Sequence, residues 1–315
     1  MILKEEKELF EKNKPKFEGR LLIFEGVEGF DVYNSSIPFM HNGKKYIYGR
    51  VEKREEWARS HVRLFENVKD DVYKVCENSM IYQLEDPFVS FINNDIVLGG
   101  THVQYECGEV TKYYGYFYKG ENIDDLYYFT TGPVYMKDIR LVQLADGRIG
   151  VFSRPRGIEV VEKYGSESVI GFDIIDNINK LGADVVQNAP IIDGLFGEGE
   201  WGGCNQAYLL ENGNIGVIGH QCYKDGEKQV YFNVAFEFDI DTHSVSNKKI
   251  IGTRECFPMA DPKIPALTDC AFSSGIVKRE DGKFDLYSGL GDTVVGRIVI
   301  ENPFSQKIIN SNKDL

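Results

Sequence analysis

Three features of the sequence predict an all-β fold, a five-bladed β-propeller with a short N-terminal helix. These are a composition rich in glycine and aromatics, a hairpin pattern that occurs five times, and polar motifs that return at the same point of each copy. The 315 residues include 32 Gly, 18 Tyr, 20 Phe and 2 Trp but only nine alanines, a balance that favours strands and tight turns over helix bundles. Hydrophobic residues make up 42%, enough for a packed core, which excludes disorder for most of the chain. No domain boundary is visible, so residues 1–315 read as a single propeller domain. The net charge of -13 argues against a nucleic-acid backbone or an anionic membrane as the main partner, because both would be repelled.

The first element in chain order is Lys4 to Lys14, charged and without a strand pattern, which reads as a short surface helix. The start of the chain has no apolar run that would serve as a signal-peptide core, and nowhere do 18 apolar residues stand together. The six cysteines (Cys76, Cys107, Cys204, Cys222, Cys256, Cys270) are scattered without CxxC pairs and read as free thiols. The expected location is the cytoplasm.

Five hairpins follow, each an apolar run, a turn built on Asn, Asp or Gly, and a second apolar run. They open near residues 34, 85, 137, 204 and 268, with turns at Asn42-Gly43, Asn93-Asn94-Asp95, Asp146-Gly147, Asn212-Gly213 and Asp281-Gly282. From Ser36 to Arg50 is 14 positions, as it is from Asp86 to Gly100, Asp138 to Phe152 and Asn205 to Gly219. Successive starts leave room for one four-stranded unit each, and closing five such units into a ring removes the exposed sheet edges. Outer strands are expected at Val62–Phe65, Tyr113–Tyr118 and Val230–Phe236. The stretch Asp173 to Gly203 reads as a long glycine-rich loop, either shaping the site or merely joining two blades.

Inner strands of a propeller surround one axis, so the polar motifs opening each first strand and closing each second strand share one end. This gathers Asn34, Arg50, Asp86, His102, Lys137, Asp138, Arg154, Asn205, His220, Asp269 and Asp292 around one mouth, suited to a polyhydroxylated ligand. Each also has a plainer reading. An Asp before a strand forms an Asx-turn, His220 fits a hydrogen-bonded interior, and Arg50 stands among Glu52, Arg54, Glu55, Glu56 and Arg59 as in a solvated ion-pair network. The five histidines show no HxH or HExxH spacing, so no metal site is expected. No GxSxG, P-loop or dinucleotide fingerprint is present.

Glu85-Asp86-Pro87 at the start of the second blade resembles the signature of the five-bladed β-mannoside phosphorylases and hydrolases, glycoside hydrolase family 130, and especially their β-1,2-mannosyltransferase/phosphorylase relatives. The similarity continues through Asn34-Ser35, Gly49-Arg50-Val51, Ser60, Lys137-Asp138, Ser153-Arg154-Pro155, Gly219-His220, Phe257-Pro258 and Leu286 to Asp292, spanning about residues 20 to 305. Two positions depart from the pattern: Phe88 stands where Arg is common, and Gln221 follows His220 where Gly is usual.

The resemblance implies an inverting enzyme with Asp86 as the acid, acting through a sugar hydroxyl. It implies substrate contacts from Asn34, Arg50, Glu85, Asp138, Asp269 and Asp292, and phosphate contacts from the cations Lys137, Arg154 and His220, with Arg156 as a further candidate. Cations rather than carboxylates at those strand ends favour phosphate as the nucleophile over an activated water. The implied reaction is phosphorolysis, or reverse synthesis, of β-1,2-linked manno-oligosaccharides through mannose 1-phosphate, with inorganic phosphate as co-substrate and no cofactor. A nucleotide-sugar-dependent mannosyltransferase, a β-mannoside hydrolase and a non-catalytic glycan- or protein-binding propeller are the alternatives. Trp201 and Tyr287 are candidate sugar-stacking rings or core residues.

Overall fold

The computed structural model describes residues 2–309. Its strands form five sheets arranged as propeller blades. Blade 1 is built on Lys44–Glu52, His61–Lys69 and Val72–Val75, with Ile23–Glu25 at its outer edge. Its innermost strand is interrupted: Asp31–Tyr33 and Phe39–His41 both pair with Lys44–Glu52, and Asn34 lies in the gap. Blade 2 runs Glu85–Ile92, Asp95–Glu106, Glu109–Gly120 and Tyr127–Val134. Blade 4 runs Glu200–Leu209, Ile215–Asp225, Lys228–Asp239 and Ser244–Gly252.

Blade 5 closes the ring. Its strands Ala271–Lys278, Phe284–Leu290 and Val294–Ile300 are completed by Gly19–Leu21 from the start of the chain, paired antiparallel to Val294–Ile300. The two ends of the chain are thereby tied into one sheet, and no blade is left with an unpaired partner at the seam.

Blade 3 differs from expectation. It has three strands, Arg140–Gln143, Ile149–Ser153 and Gly171–Ile175, and the segment read as a long loop is largely structured. That segment supplies a 3-10 turn at Ile178–Lys180 and a helix at Ala183–Asn188, and the strand that opens blade 4 begins at Glu200, four residues before its expected start. Val186 of the helix is buried with Ile149, Val151 and Ile175, and the helix packs in the seam between blades 2 and 3. Blades 3 and 5 begin at Arg140 and Ala271, three residues later than the polar motifs that precede them.

Apolar side chains pack between consecutive blades, not within one central core. Phe39, Tyr48 and Leu64 of blade 1 meet Leu84, Val89 and Leu98 of blade 2, and comparable clusters fill the other seams. Such packing leaves the axis to polar groups. The N-terminal helix Ile2–Asn13 lies against blade 4, where Leu3 is buried with Tyr223, Phe232 and Val234. Glu200 receives the backbone N–H of Leu3 at 3.0 Å, and Lys7 bridges Glu11 and Asp269. Among the described residues the six cysteines are free, four of them buried, and no helix is long and apolar enough to cross a membrane.

Candidate active site

Asn34, Asp86 and Asp138 stand at intervals of 52 residues, at the start of blades 1, 2 and 3. All three have left-handed backbones, with φ of 43°, 47° and 58°, and so does Asp292 at the end of an inner strand of blade 5, with φ of 57°. Only glycine, Asn and Asp adopt this region at modest cost, and short polar side chains held there cluster at functional sites. The turn aims each side chain at the axis instead of letting it alternate with the strand. Asn34, Asp86 and Asp138 are buried, and Asp292 is half-buried.

Two groups of polar side chains result. On the arc of blades 5, 1 and 2, Asn34 Nδ2 donates to Asp86 Oδ1 at 3.0 Å and to Asp292 Oδ1 at 3.4 Å. Arg50 Nη1 donates to the same Asp86 oxygen at 3.0 Å, and its Nη2 donates to Glu85 Oε1 at 3.0 Å. Asp86 Oδ2 is left without a protein partner among the described residues. Gly289 faces Asn34 so closely that a Cβ there would lie 1.9 Å from Asn34 Oδ1, which leaves room for no other residue type.

Arg50 is not part of a solvated network. It is buried, its Nε donates to Ser60 Oγ at 2.7 Å, and its charge is balanced by Glu52, Glu85 and Asp86. Of its charged sequence neighbours only Glu52 joins it, while Arg54 pairs with Asp31 at the surface. Glu52 is fully buried and also accepts from Tyr33, Ser60, Lys263 and the Arg59 backbone N–H. Burial pushes the Glu52 carboxyl up, but Arg50, Lys263 and Tyr33 outweigh it and hold it below its ordinary value. Glu85 and Asp292 go the other way: burial raises both, and Arg50 only partly opposes it.

On the arc of blades 3 and 4, Arg154 Nη1 donates to Asp138 Oδ2 at 2.6 Å and Arg140 Nη2 lies 3.5 Å from Oδ1. Burial pushes the Asp138 carboxyl up, but Arg154 and Arg140 hold it well below the usual carboxylate range. Arg154 Nε is fixed by Ser168 Oγ at 3.1 Å and the Gly202 carbonyl at 2.7 Å. Gly203 permits this approach, since a Cβ there would lie 3.0 Å from both Arg154 Cδ and His220 Cε1. His220 Nδ1 pairs with Asn205 Oδ1 at 2.7 Å, while His220 Nε2 and Asn205 Nδ2 are buried with no protein partner.

Lys137 stands between the two groups. It makes no hydrogen bond or ion pair with any described residue, yet its charge acts on Glu85 and Asp292 on one side and on Asp138 and His220 on the other. Five carboxylates (Glu52, Glu85, Asp86, Asp138, Asp292) thus face five cations (Arg50, Lys137, Arg140, Arg154, Lys263), a balanced mouth in a chain of net charge -13.

Several expected residues are placed differently. His220, expected as a cation, is held neutral: burial, reinforced by Arg154, depresses its pKa well below the ordinary histidine value. Asp269 is half-buried and its carboxylate pairs with Lys7 of the N-terminal helix at 2.8 Å, away from both groups. His102 stacks on Tyr116 with ring centroids 4.4 Å apart and contacts the Gln83 carbonyl, outside the buried cluster. Arg156 is exposed over the Tyr113 ring. Trp201 and Tyr287 are buried packing residues. The two departures from the family pattern have local roles: Phe88 carries the Arg140 guanidinium on its ring at 4.6 Å, and Gln221 holds the Leu195 carbonyl at 2.8 Å.

Glu52, Lys263, Tyr33, Arg140 and Ser168 were not singled out from the sequence. Lys263 comes from the connection between blades 4 and 5, and no repeat marks it. A charged residue closing the apolar strand Lys44–Glu52 was the one signal available for Glu52. A larger cavity of about 970 Å³ lies at the opposite, turn-bearing end of the hairpins, lined by Lys45, Gln143, Asp281 and Phe284 among others, and it includes none of these ionised groups.

The fold and the site define a five-bladed propeller whose mouth sets buried carboxylates against cations and unpartnered polar atoms. The chain belongs to the family described as "Protein of unknown function (DUF1861)", which matches residues 8–306. Among solved structures it is similar to MPT-4, a mannose phosphorylase from Leishmania mexicana solved in complex with phosphate ion, at 50% identity and TM-score 0.94 over 100% of this chain and 98% of that one. It is also similar to MPT-1, a GDP-Man-dependent mannosyltransferase from Leishmania mexicana, at 46% identity and TM-score 0.90 over 98% and 99% of the two chains. A structure from the GH130 family of mannoside phosphorylases matches at 13% identity and TM-score 0.59 over 94% and 97%, a likeness of fold alone. Among curated proteins none matches.

Proposed function

We propose that the protein is an inverting β-mannoside phosphorylase, acting on β-1,2-linked manno-oligosaccharides with inorganic phosphate to give mannose 1-phosphate. The observation that supports this reading is the split of the mouth into a group around the Asp86 carboxylate and a group around the cations Arg154 and Lys137. The likeness to a mannose phosphorylase solved with phosphate supports it.

In this reading Asn34, Arg50 and Asp292 bind the mannosyl unit, and Glu85 completes that wall. Asn34 and Arg50 hold one oxygen of Asp86, so the other is directed at the substrate. Asp86 delivers its proton through a sugar hydroxyl to the glycosidic oxygen as the C–O bond breaks, and a phosphate oxygen forms the new bond to the anomeric carbon from the opposite face. A monohydrogen phosphate brings one proton and the shortened mannoside leaves with one, so the acid is restored over the cycle. Lys137 and the free edge of Arg154 bind the anion's charge. Neutral His220, whose Nδ1–H points to Asn205, offers Nε2 as an acceptor for the P–OH group. Asp138 is a fixed counter-ion that orients Arg154. No resident cofactor is called for, and the cytoplasm is the proposed location.

The reading is tested by Arg154→Ala. Charge-assisted hydrogen bonds are worth about 1.5–3 kcal/mol each, so the KM for phosphate rises roughly ten- to a hundredfold while mannoside binding changes little. A normal phosphate response in a destabilised variant would overturn the assignment. A second reading, mannosyl transfer from a nucleotide sugar, is favoured by the 46% identity to a GDP-Man-dependent mannosyltransferase. Mannoside elongation with GDP-mannose in the absence of mannose 1-phosphate would establish it.

A further inference from the structure

The proposed reaction uses neither Glu52 nor Lys263, yet both are buried close to the acid. Lys263 reaches Glu52 from the connection between blades 4 and 5, and their side chains are 3% and 0% exposed. A buried ion pair is seldom worth more than apolar side chains of similar volume, so its place beside Asp86 calls for a use.

Glu52 is the hub of the arrangement. Its Oε1 accepts from Ser60 Oγ at 3.0 Å and from the Arg59 backbone N–H at 2.8 Å. Because the Ser60 hydroxyl gives its proton to Glu52, its lone pair is left to accept from Arg50 Nε at 2.7 Å. The other oxygen, Oε2, accepts from the Tyr33 hydroxyl and from Lys263 Nζ, and Arg50 Nη2 lies 3.5 Å away. That same Nη2 donates to Glu85 Oε1 at 3.0 Å, while Nη1 holds Asp86 at 3.0 Å. The Arg50 guanidinium therefore stands between two pulls, Glu52 on one side and Glu85 with Asp86 on the other.

An uncompensated carboxylate in a dry site attracts a nearby guanidinium far more strongly than one in water. Lys263 answers the Glu52 charge, which leaves the Arg50 fork to Asp86 and Glu85. We propose that Glu52 and Lys263 are a positioning pair for the acid: Glu52 orients Arg50 through Ser60, and Lys263 keeps this carboxylate from drawing Arg50 off Asp86. The proposal rests on the reading of Asp86 as the acid. The backbone that carries Lys263 is fixed without its side chain. Its own N–H donates to the Gly291 carbonyl at 2.7 Å, and Thr293 Oγ1 donates to the Asp261 carbonyl at 2.8 Å. Arg254 holds the Pro258 and Ala260 carbonyls at 3.0 and 3.1 Å, so loss of the ammonium alone leaves the connection in place.

The test is Lys263→Met, which removes the charge and keeps the length; Lys263→Gln serves in its place if that variant does not fold. Turnover falls roughly ten- to a hundredfold, as expected for a misplaced catalytic group, while the KM for phosphate stays within about twofold. Lys263→Arg recovers part of the loss. Adding Glu52→Gln to Lys263→Met removes the competing charge, keeps an oxygen for Ser60 and recovers most of it. In an Asp86→Asn background Lys263→Met costs nothing further, because its effect runs through the acid. Unchanged turnover in Lys263→Met, no recovery on adding Glu52→Gln, or a full further loss in the Asp86→Asn background would overturn the proposal. Wild-type turnover in Asp86→Asn, or none in the wild type, would instead overturn the proposed reaction. The pair is then judged by the crystal structure of Lys263→Met: Arg50 leaving Asp86 for Glu52 supports it, and an unmoved guanidinium overturns it.

Discussion

Asp86 and Asp138 are the same side chain at the same blade position, and their neighbours give them different work. Asp138 has both oxygens facing arginines and stays ionised, whereas Asp86 shares one oxygen between Asn34 and Arg50 and keeps the other open. Asp86→Asn is therefore expected to lower turnover by about 10²–10⁴, the range of a lost general acid, with little change in melting temperature. Asp138→Ala is expected to act on stability, costing about 3–5 kcal/mol by leaving Arg154 and Arg140 unpaired in a buried site. Chemical denaturation of both variants alongside kinetics separates the two roles. His220 supplies a pH prediction. Its folded-state pKa is depressed, so the unfolded chain binds a proton that the folded chain refuses, and stability is full above pH 6.5 and falls as pH drops below it. The limiting slope is about 1.4 kcal/mol per pH unit. His220→Gln should flatten the decline in melting temperature between pH 6.5 and 5, and an unchanged slope would refute the neutral assignment. The repeated motif made Asn34, Asp86, Lys137 and Asp138 legible because their register recurs. Asp269 shared that register, yet the N-terminal helix brings Lys7 to its carboxylate, a contact over 262 residues that no local pattern encodes.

At the scale of elements, the strand Glu200–Leu209 does more than open blade 4. Its carbonyl at Gly202 and the missing side chain at Gly203 seat Arg154 beside His220. Gly203→Ala places a methyl group 3.0 Å from both Arg154 Cδ and His220 Cε1, so these side chains must shift by a few tenths of an ångström, which disturbs the hydrogen bonds that seat Arg154. The expected outcome is a roughly tenfold rise in the KM for phosphate with a melting temperature close to wild type, measured on the same preparation. A large loss of stability with normal phosphate use would show that the strand, not the arginine, gives way. Hairpin turns were readable from Asn-Gly and Asp-Gly pairs, since those turns demand left-handed residues. The helix Ala183–Asn188 was not, because its six residues and glycine-flanked context give no helical period. Burial of Val186, with Val185 packed against the same cluster between blades 2 and 3, stabilises it, and that is tertiary information.

For the whole molecule, ring closure explains why residues from every blade reach one site. Pairing of Gly19–Leu21 with Val294–Ile300 completes blade 5, next to Asn34 and Asp292. A closed ring fixes the distance between the Asp86 arc and the Arg154 arc, which the proposed inverting displacement requires. The fold was legible because five hairpins repeat; the three-stranded blade and the Glu52–Lys263 pairing were not, because each occurs once. The central claim is that phosphate, held on blades 3 and 4, attacks a mannosyl carbon activated from the Asp86 side. Phosphorus and proton NMR of the protein with β-1,2-mannobiose and inorganic phosphate tests it most directly. The account predicts consumption of phosphate in step with appearance of mannose and α-mannose 1-phosphate, and no cleavage when phosphate is withheld. Release of free mannose alone at a rate that ignores phosphate would contradict it.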